Sequence, residues 1–471
     1  MTESKTDRNS RHAEDRKQGK TLRQAAPRHS HGDWQPAPDR PDPISLLQAQ
    51  DEGRLQHLLP IKYGRMLESP FAFLRGSAVV MACDLADTPV TGLDVILCGD
   101  AHISNFGVFA SPERRLVFDI NDFDESYPGP WEWDLKRLAA SAVVAARENG
   151  FKEKQCRKMA IAVAERYRWA MAQLTQLTTL EVWYYHVSVD KLLDVFEKSS
   201  RKGQKSAEKM VDKALSHSHE QTLEKLTRVE NGQRRIIGDP PLLVPFREGD
   251  IDALLVKASA AIFSRETVLQ AWNGYLDSLP DERRFLLRRY RIVDGALRVG
   301  GVGSVGTRCS IVLLQGEGED DALMLQLKEA GPSALEAYLG KRVYLQHAER
   351  IVTGQRLIQA VSDMFLGWHS SVVTDLDFYW RQLKDMKGSA DVTTMDEQGY
   401  ETYVGICSLC LARAHTRTGD EANIAGYIGK SDTFANAIAD FAVAYADQTE
   451  RDYQALVDAV ESGRIVAETG I

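Results

Sequence analysis

Only six cysteines occur among 471 residues, and their scattered spacing does not describe a disulfide framework. No run of about 18 apolar residues is present, so no membrane-spanning helix is expected. The opening stretch MTESKTDRNSRHAEDRKQGK lacks an apolar core, so it does not read as a secretory signal. Positive charge is not in excess: the formal net charge is −9, which argues against broad nucleic-acid binding. No internal repeat is visible. Together these absences predict a cytoplasmic protein with reduced thiols, no membrane association and no nucleic-acid partner.

The composition, 43% apolar and 27% charged, is that of a globular protein long enough for two or more structural units. Residues 1–44 are polar, mixed in charge and proline-containing, which predicts a disordered tail. Order is expected from ISLLQAQ onward. SAVVMACDLA, LDVILCGD and RRLVFDIND carry short β-branched runs between turn residues and predict strands. DLKRLAASAVVAAREN and KQCRKMAIAVAERYRWAMAQL space their apolar residues three and four apart, as helices do. Residues 190–230 read as charged surface helices, 290–330 as a second β-rich block, DFYWRQLKDM as a strand entering a turn, and the chain after 397 as helices.

Two stretches carry chemistry. In VILCGDAHISNFGVF, residues 95–109, Asp100 and Asn105 stand five apart on one tight loop. Phosphoryl transfer asks for this pair: a carboxylate to orient the attacking hydroxyl, and oxygen ligands for magnesium. His102 lies between them, as a catalytic or loop-bracing residue. A hairpin, FGVFASPERRLVFDIND, leads on to further carboxylates, Asp122 and Asp124. The plainer alternative is that Gly-Asp and Asn-Phe-Gly simply form turns capped by their own side chains.

The second stretch, LRVGGVGSVGTRCSIVLLQGEGEDDALMLQLKEA, places Gly301, Gly303 and Gly306 in a G-x-G-x-x-G pattern. A dinucleotide fingerprint needs a helix after its glycines. The residues that follow, TRCSIVLL, alternate like a strand, and LMLQLK supplies another. Strand, glycine loop, strand, turn, strand fits a loop that lies over ATP phosphates. Lys328, at the end of the third strand, is placed to reach those phosphates as a point charge. Glu349, on the next strong helix, is the carboxylate expected to hold the lysine, in preference to Glu336 after the GPS turn. The alternative is a glycine-rich hairpin with a solvated lysine.

CGDAHISNFG resembles the catalytic loop of the aminoglycoside phosphotransferase-like kinases, His-Gly-Asp-x-His-x-x-Asn, with Cys98 at the place of the first histidine. NDFDESYPGPWEWDLKRLA resembles the segment that follows it in those kinases. The resemblance implies that Asp122 is the metal carboxylate, with Asp124 in reserve, and that Asp134, twelve residues later, braces the catalytic loop. It also implies a problem of order, because the glycine loop follows the catalytic loop by about 200 residues instead of preceding it. A circular permutation resolves this if the joined ends lie close and exposed. YVGICSLCLARAHTRTGD then resembles the helix that stands before the catalytic loop. PIKYGRMLESPFAFLRG, CGDAHISNFG, VFDINDFDE, PGPWEWDLKRLAAS, GVGSVGTRC and GQRLIQAVSD also resemble the bacterial family catalogued as domain of unknown function 2252, over most of residues 50–450.

The fold expected is therefore α+β and two-lobed, protein-kinase-like and circularly permuted, with extra helices. Residues 1–44 would be the tail. Residues 45–290 would form the catalytic-loop and metal-loop part of the large lobe with a helical region. Residues 291–390 would be the small nucleotide-binding lobe and hinge, and 391–471 the helices that complete the large lobe. The expected function is ATP- and Mg²⁺-dependent phosphoryl transfer to an unidentified, small-molecule acceptor. Nucleotidyl transfer from the same pocket and non-catalytic nucleotide sensing are its rivals. Arg65, Arg75 and His415 are candidates for binding the substrate. Cys407 and Cys410 form a C-x-x-C read as core packing, since no second pair completes a zinc site. His217 and His219 are expected to face solvent.

Overall fold

Every residue of the strand Cys309–Gln315 is buried, so CSIVLLQ must be covered on both faces. Alternate side chains divide accordingly. Val312 and Leu314 join one apolar cluster with Trp272, Tyr275 and Trp380, while Ile311 and Leu313 join another with Leu223, Ile236 and Met324. This strand is central in a six-stranded antiparallel sheet. The order is Gly367–Ser370, Asp377–Gln382, Ala322–Ala330, Cys309–Gln315, Arg291–Arg298, Leu243–Pro245. The computed structural model describes residues 5–246, 265–318, 320–340, 343–372, 374–383 and 386–470, with the side chains of 5–11, 265 and 266 left aside.

The same period of two sets the chemistry of one sheet face. Ala322 and Met324 point into the second cluster, so Gln326 and Lys328 continue along that face. Register puts Cys309 and Tyr379 on either side of Lys328, and Arg381 opposite Gln326. One end of the sheet thus presents Cys309, Gln326, Lys328, Tyr379 and Arg381 together.

The larger part of the molecule is helical. Helices Glu132–Glu148, Glu153–Leu174, Glu397–Thr416 and Thr433–Glu461 surround the main apolar core. All residues from Glu132 to Ala146 are buried, as expected of a helix packed on every side. Against this bundle lies the hairpin of Phe106–Ala110 and Leu116–Ile120. Gly388–Ser389 pairs with its first strand just after the chain leaves the six-stranded sheet. The fold is a mixed α and β architecture, and among the described residues no helix is long and apolar enough to cross a membrane.

Several expectations need correction. Residues 5–44 are not a disordered tail, and residues 1–4 of that expectation lie outside the described residues. Lys5–Thr21 is a helix that crosses helix Glu421–Ile428 so closely that a Cβ on Gly19 would stand 2.1 Å from Asn423 O. His31 is buried, and Arg40 bonds both Asp84 and Asp452. A few anchors thus dock a segment whose average composition is polar. SAVVMACDLA is not a strand: Ala78–Leu85 is a helix whose buried residues Met81, Ala82 and Leu85 recur at helical spacing. The boundary expected at 290 falls earlier. Leu243 lies in the edge strand of the six-stranded sheet, and Leu223, Ile236, Trp272 and Tyr275 pack on it, because its two faces need cover from both sides. His219 takes part, its Nε2 lying 2.6 Å from Ala322 O, so it does not face solvent. Cys407 and Cys410 are buried free thiols in the helical core.

Candidate functional site

The loop after strand Asp94–Leu97 is held from beneath. Asp134, at the start of helix Glu132–Glu148, accepts the backbone N–H groups of Cys98 at 2.8 Å and Gly99 at 3.0 Å. Its Oδ2 also lies 3.2 Å from His415 Nε2, and His415 Nδ1 lies 2.7 Å from Tyr167 Oη. His415 is fully buried in this network, so it does not line a substrate site. Gly99 is required here: its φ is +82° and a Cβ would meet Glu125 O at 2.1 Å. Burial pushes the Cys98 thiol well above its usual value, and the carboxylates of Asp134 and Asp100 add to the shift.

Asp100 points away from that brace. Arg137 grips its Oδ1 from Nε at 2.9 Å and from Nη2 at 2.7 Å, and also donates to Leu74 O at 2.7 Å. Arg137 lies within the DLKRLA segment, but sequence reasoning assigned it no role. Burial holds the His102 imidazole down to about 3 despite the Asp100 carboxylate, whose Oδ2 lies 3.5 Å from Nε2. His102 is therefore neutral near pH 7. Asn105 donates from Nδ2 to Asp100 O at 2.7 Å, which leaves its amide oxygen as the free end.

Across the cleft, Lys328 forms an ion pair and hydrogen bond with Asp124 Oδ2, while Tyr379 Oη donates to Asp124 Oδ1 at 2.6 Å. Burial opposes the lysine's charge, yet Asp124, then Tyr379 and Asp122, hold it above its usual value. Burial likewise works against the Asp124 carboxylate, and Lys328 and Tyr379 bring it below the usual range. One expectation is corrected. The carboxylate that meets Lys328 is Asp124, not Glu349, and both oxygens of Asp124 are engaged by protein donors. The helix His347–Ile358 contributes its next residue instead. Arg350 donates to Ser126 O at 2.5 Å and to Asp124 O and Gly331 O at 3.0 Å each. Asp122 keeps a buried Oδ1 with no hydrogen-bond partner among the described residues.

The glycine loop closes over this floor. Arg54 donates to Gly303 O at 2.9 Å and Val305 O at 2.7 Å, and Arg65 donates to Gly300 O. Arg65 thus holds the loop's backbone, not a substrate anion. Gly306 has φ +89°, and a Cβ there would press on Arg54 and Leu59. It turns the chain into the next strand and packs away from the cleft, whereas Gly301 and Gly303 line it.

Two adjoining cavities result. One, of ≈ 640 Å³, lies between Gln326, Lys328 and Arg381 above and Phe109, Asn121 and Asp122 below. Lys387 also enters it; burial, aided by Arg381, pushes its ammonium down to about 7. The other, of ≈ 90 Å³, collects Asp100, Asn105, Asp122, Asp124 and Gly301–Ser304. Among the described residues no group of three or more His, Cys, Asp and Glu side chains is arranged as a metal site.

Residues 54–459 match the model of a family described as an uncharacterized protein conserved in bacteria, DUF2252. The chain belongs to that family. The match takes in both cavities and the glycine loop, so the site lies wholly within the part shared with DUF2252. No curated protein and no solved structure matches the chain.

Proposed function

We propose that this DUF2252 chain is an ATP- and Mg²⁺-dependent phosphotransferase with a permuted kinase-like fold, acting on a small-molecule acceptor. The observation that carries the reading is the convergence of Asp100, Asn105, Asp122 and the glycine loop on one small cavity, with Lys328 paired to Asp124 beside it. The glycine loop between two antiparallel strands and the lysine on the third support it further. The larger cavity is lined by Lys328, Arg381 and Lys387, which suits a polyanion such as the triphosphate of ATP.

The residues present fit Mg²⁺. It takes few protein oxygens and completes its shell with phosphates and water, and the orphaned Asp122 Oδ1 with the free amide oxygen of Asn105 supplies that kind of donor set. Bound there, the ion would neutralise phosphate charge. Asp100, aligned by Arg137, would accept or orient the proton of an attacking hydroxyl. His102, being neutral, would sit behind it as a positioning group. Lys328 would exchange part of its contact with Asp124 for phosphate oxygens.

Incubation of the full chain with Mg²⁺, labelled ATP and a metabolite extract, followed by mass spectrometry of the products, tests the reading. A phosphoryl mass added to an acceptor supports it. An added AMP mass would replace it with nucleotidyl transfer. Tight ATP binding without turnover would replace it with nucleotide sensing.

A further inference from the structure

The smaller cavity contains an arginine with nothing to hold. Arg75 stands in the last turn of helix Pro70–Gly76 and lines the cavity with Asp100, Asn105, Asp122 and Gly303. Its Nε is buried without a partner, and its side chain makes no hydrogen bond or ion pair with a described residue. Of the acids that line the cavity, Asp122 keeps an unpartnered Oδ1 and forms no ion pair with Arg75 among the described residues, and the other three are engaged. Asp100 is gripped by Arg137, Asp124 by Lys328 and Tyr379, and Glu125 Oε2 by the N–H of Ala334 at 2.6 Å. Leaving the donors of a guanidinium unsatisfied in a partly enclosed site costs free energy, which binding of an anion would recover. The planar fork suits two oxygens of one anion. Its place is also specific. Arg75 O lies 3.8 Å from a Cβ built on Gly303, so the residue stands at the tip of the glycine loop, beside the carboxylate expected to meet the acceptor.

We infer that Arg75 is an oxyanion-binding residue at the junction of the nucleotide and acceptor sites. It takes a phosphate- or carboxylate-type oxyanion, which is either the group in transfer or a charged group carried by the acceptor. The inference rests on the phosphotransferase reading and narrows it: among the acids of the reacting end, Arg75 supplies the cation for one oxyanion. A cavity of ≈ 90 Å³ admits an anionic group of a few heavy atoms.

Two calorimetric titrations of the full chain test this, on wild type, Arg75→Ala and Arg75→Lys. The first uses MgADP with aluminium fluoride, which imitates the phosphoryl group in flight. The second uses inorganic phosphate without nucleotide. Arg75 has no partner among the described residues, so the variants should keep the wild-type urea transition. Arg75→Gln, which retains most of the stem, replaces Arg75→Ala if that transition is lost. A tenfold or greater loss by Arg75→Ala on either probe, partly restored in Arg75→Lys, is the expected result. Loss confined to the fluoride complex, with MgADP affinity unchanged, identifies the group in transfer. Loss confined to inorganic phosphate identifies the acceptor's charge. Equal behaviour of wild type and Arg75→Ala on both probes, including no binding by either, overturns the inference. If wild type binds inorganic phosphate through Arg75 but no magnesium nucleotide, the phosphotransferase reading fails while the anion site stands.

Discussion

Lys328 and Asp124, 204 residues apart in the chain, form an ion pair in which the lysine is almost wholly buried. The pair ties the six-stranded sheet to the segment that follows the hairpin of Phe106–Ala110 and Leu116–Ile120. It also brings the glycine loop and Asp100 to one cavity.

Asp100→Asn keeps the size of the side chain and its contact with Arg137, but removes the basic carboxylate. Turnover should fall by about 10²- to 10⁴-fold, the usual contribution of a general base. ATP affinity measured by calorimetry should stay within about threefold, since the proposed function gives the phosphates to Lys328 and the glycine loop. A variant with full ATP consumption contradicts the assignment of Asp100.

Asp122→Ala removes the orphaned carboxylate oxygen. Nucleotide binding by wild type should weaken when Mg²⁺ is removed with EDTA. In the variant the two titrations, with and without Mg²⁺, should coincide. Retention of the full Mg²⁺ effect would place the metal ligands elsewhere.

Lys328→Met leaves Asp124 with Tyr379 alone. The cost should be on the order of 1–3 kcal/mol in urea unfolding, as for a polar group deprived of its partner. Adding Asp124→Asn to Lys328→Met should recover part of that loss, giving a coupling energy in the double-mutant cycle. Strict additivity would mean that the pair contributes nothing to stability.

Arg40→Ala tests whether the N-terminal segment belongs to the fold. Arg40 bonds Asp84 at 2.6 Å and Asp452 at 2.6 Å, and all three side chains are largely buried. Breaking such a network by removing one member costs about 3–5 kcal/mol. A melting temperature equal to that of wild type would show that the Arg40 network contributes nothing to stability.

Burial keeps His31 and His102 down to about 3 and His369 to about 4. In the unfolded chain each titrates near 6.5. Below that pH the unfolded state binds protons that the folded state does not, so stability is fully present above about 6.5 and falls with acidification towards 3. Replacing His31 with Gln should lessen the slope of stability against pH in this window by up to about 1.4 kcal/mol per unit, the value of one proton. Urea unfolding at pH 4 to 7 measures it. An unchanged slope would mean that His31 is protonated in the folded chain.

Within single elements the sequence was informative. Alternation in DALMLQLKEA puts Gln326 and Lys328 on one face of their strand, and in DFYWRQ it puts Tyr379 and Arg381 on one face of theirs, but only the pairing of the two strands brings the four side chains together. The five-residue spacing of Asp100 and Asn105 puts both on one loop, and the glycine pattern marks the turn between two strands. Which elements meet was decided only by the tertiary structure. Helical spacing offered Glu349 as the partner of Lys328, but the docking angle of helix His347–Ile358 presents Arg350 to the loop and leaves the lysine to Asp124. The polar average of residues 1–44 concealed the anchors Gly19, His31 and Arg40, whose partners lie hundreds of residues away. Local spacing orients a side chain on its own strand or helix. Its partner depends on how distant apolar faces bury one another, which no short window of sequence contains.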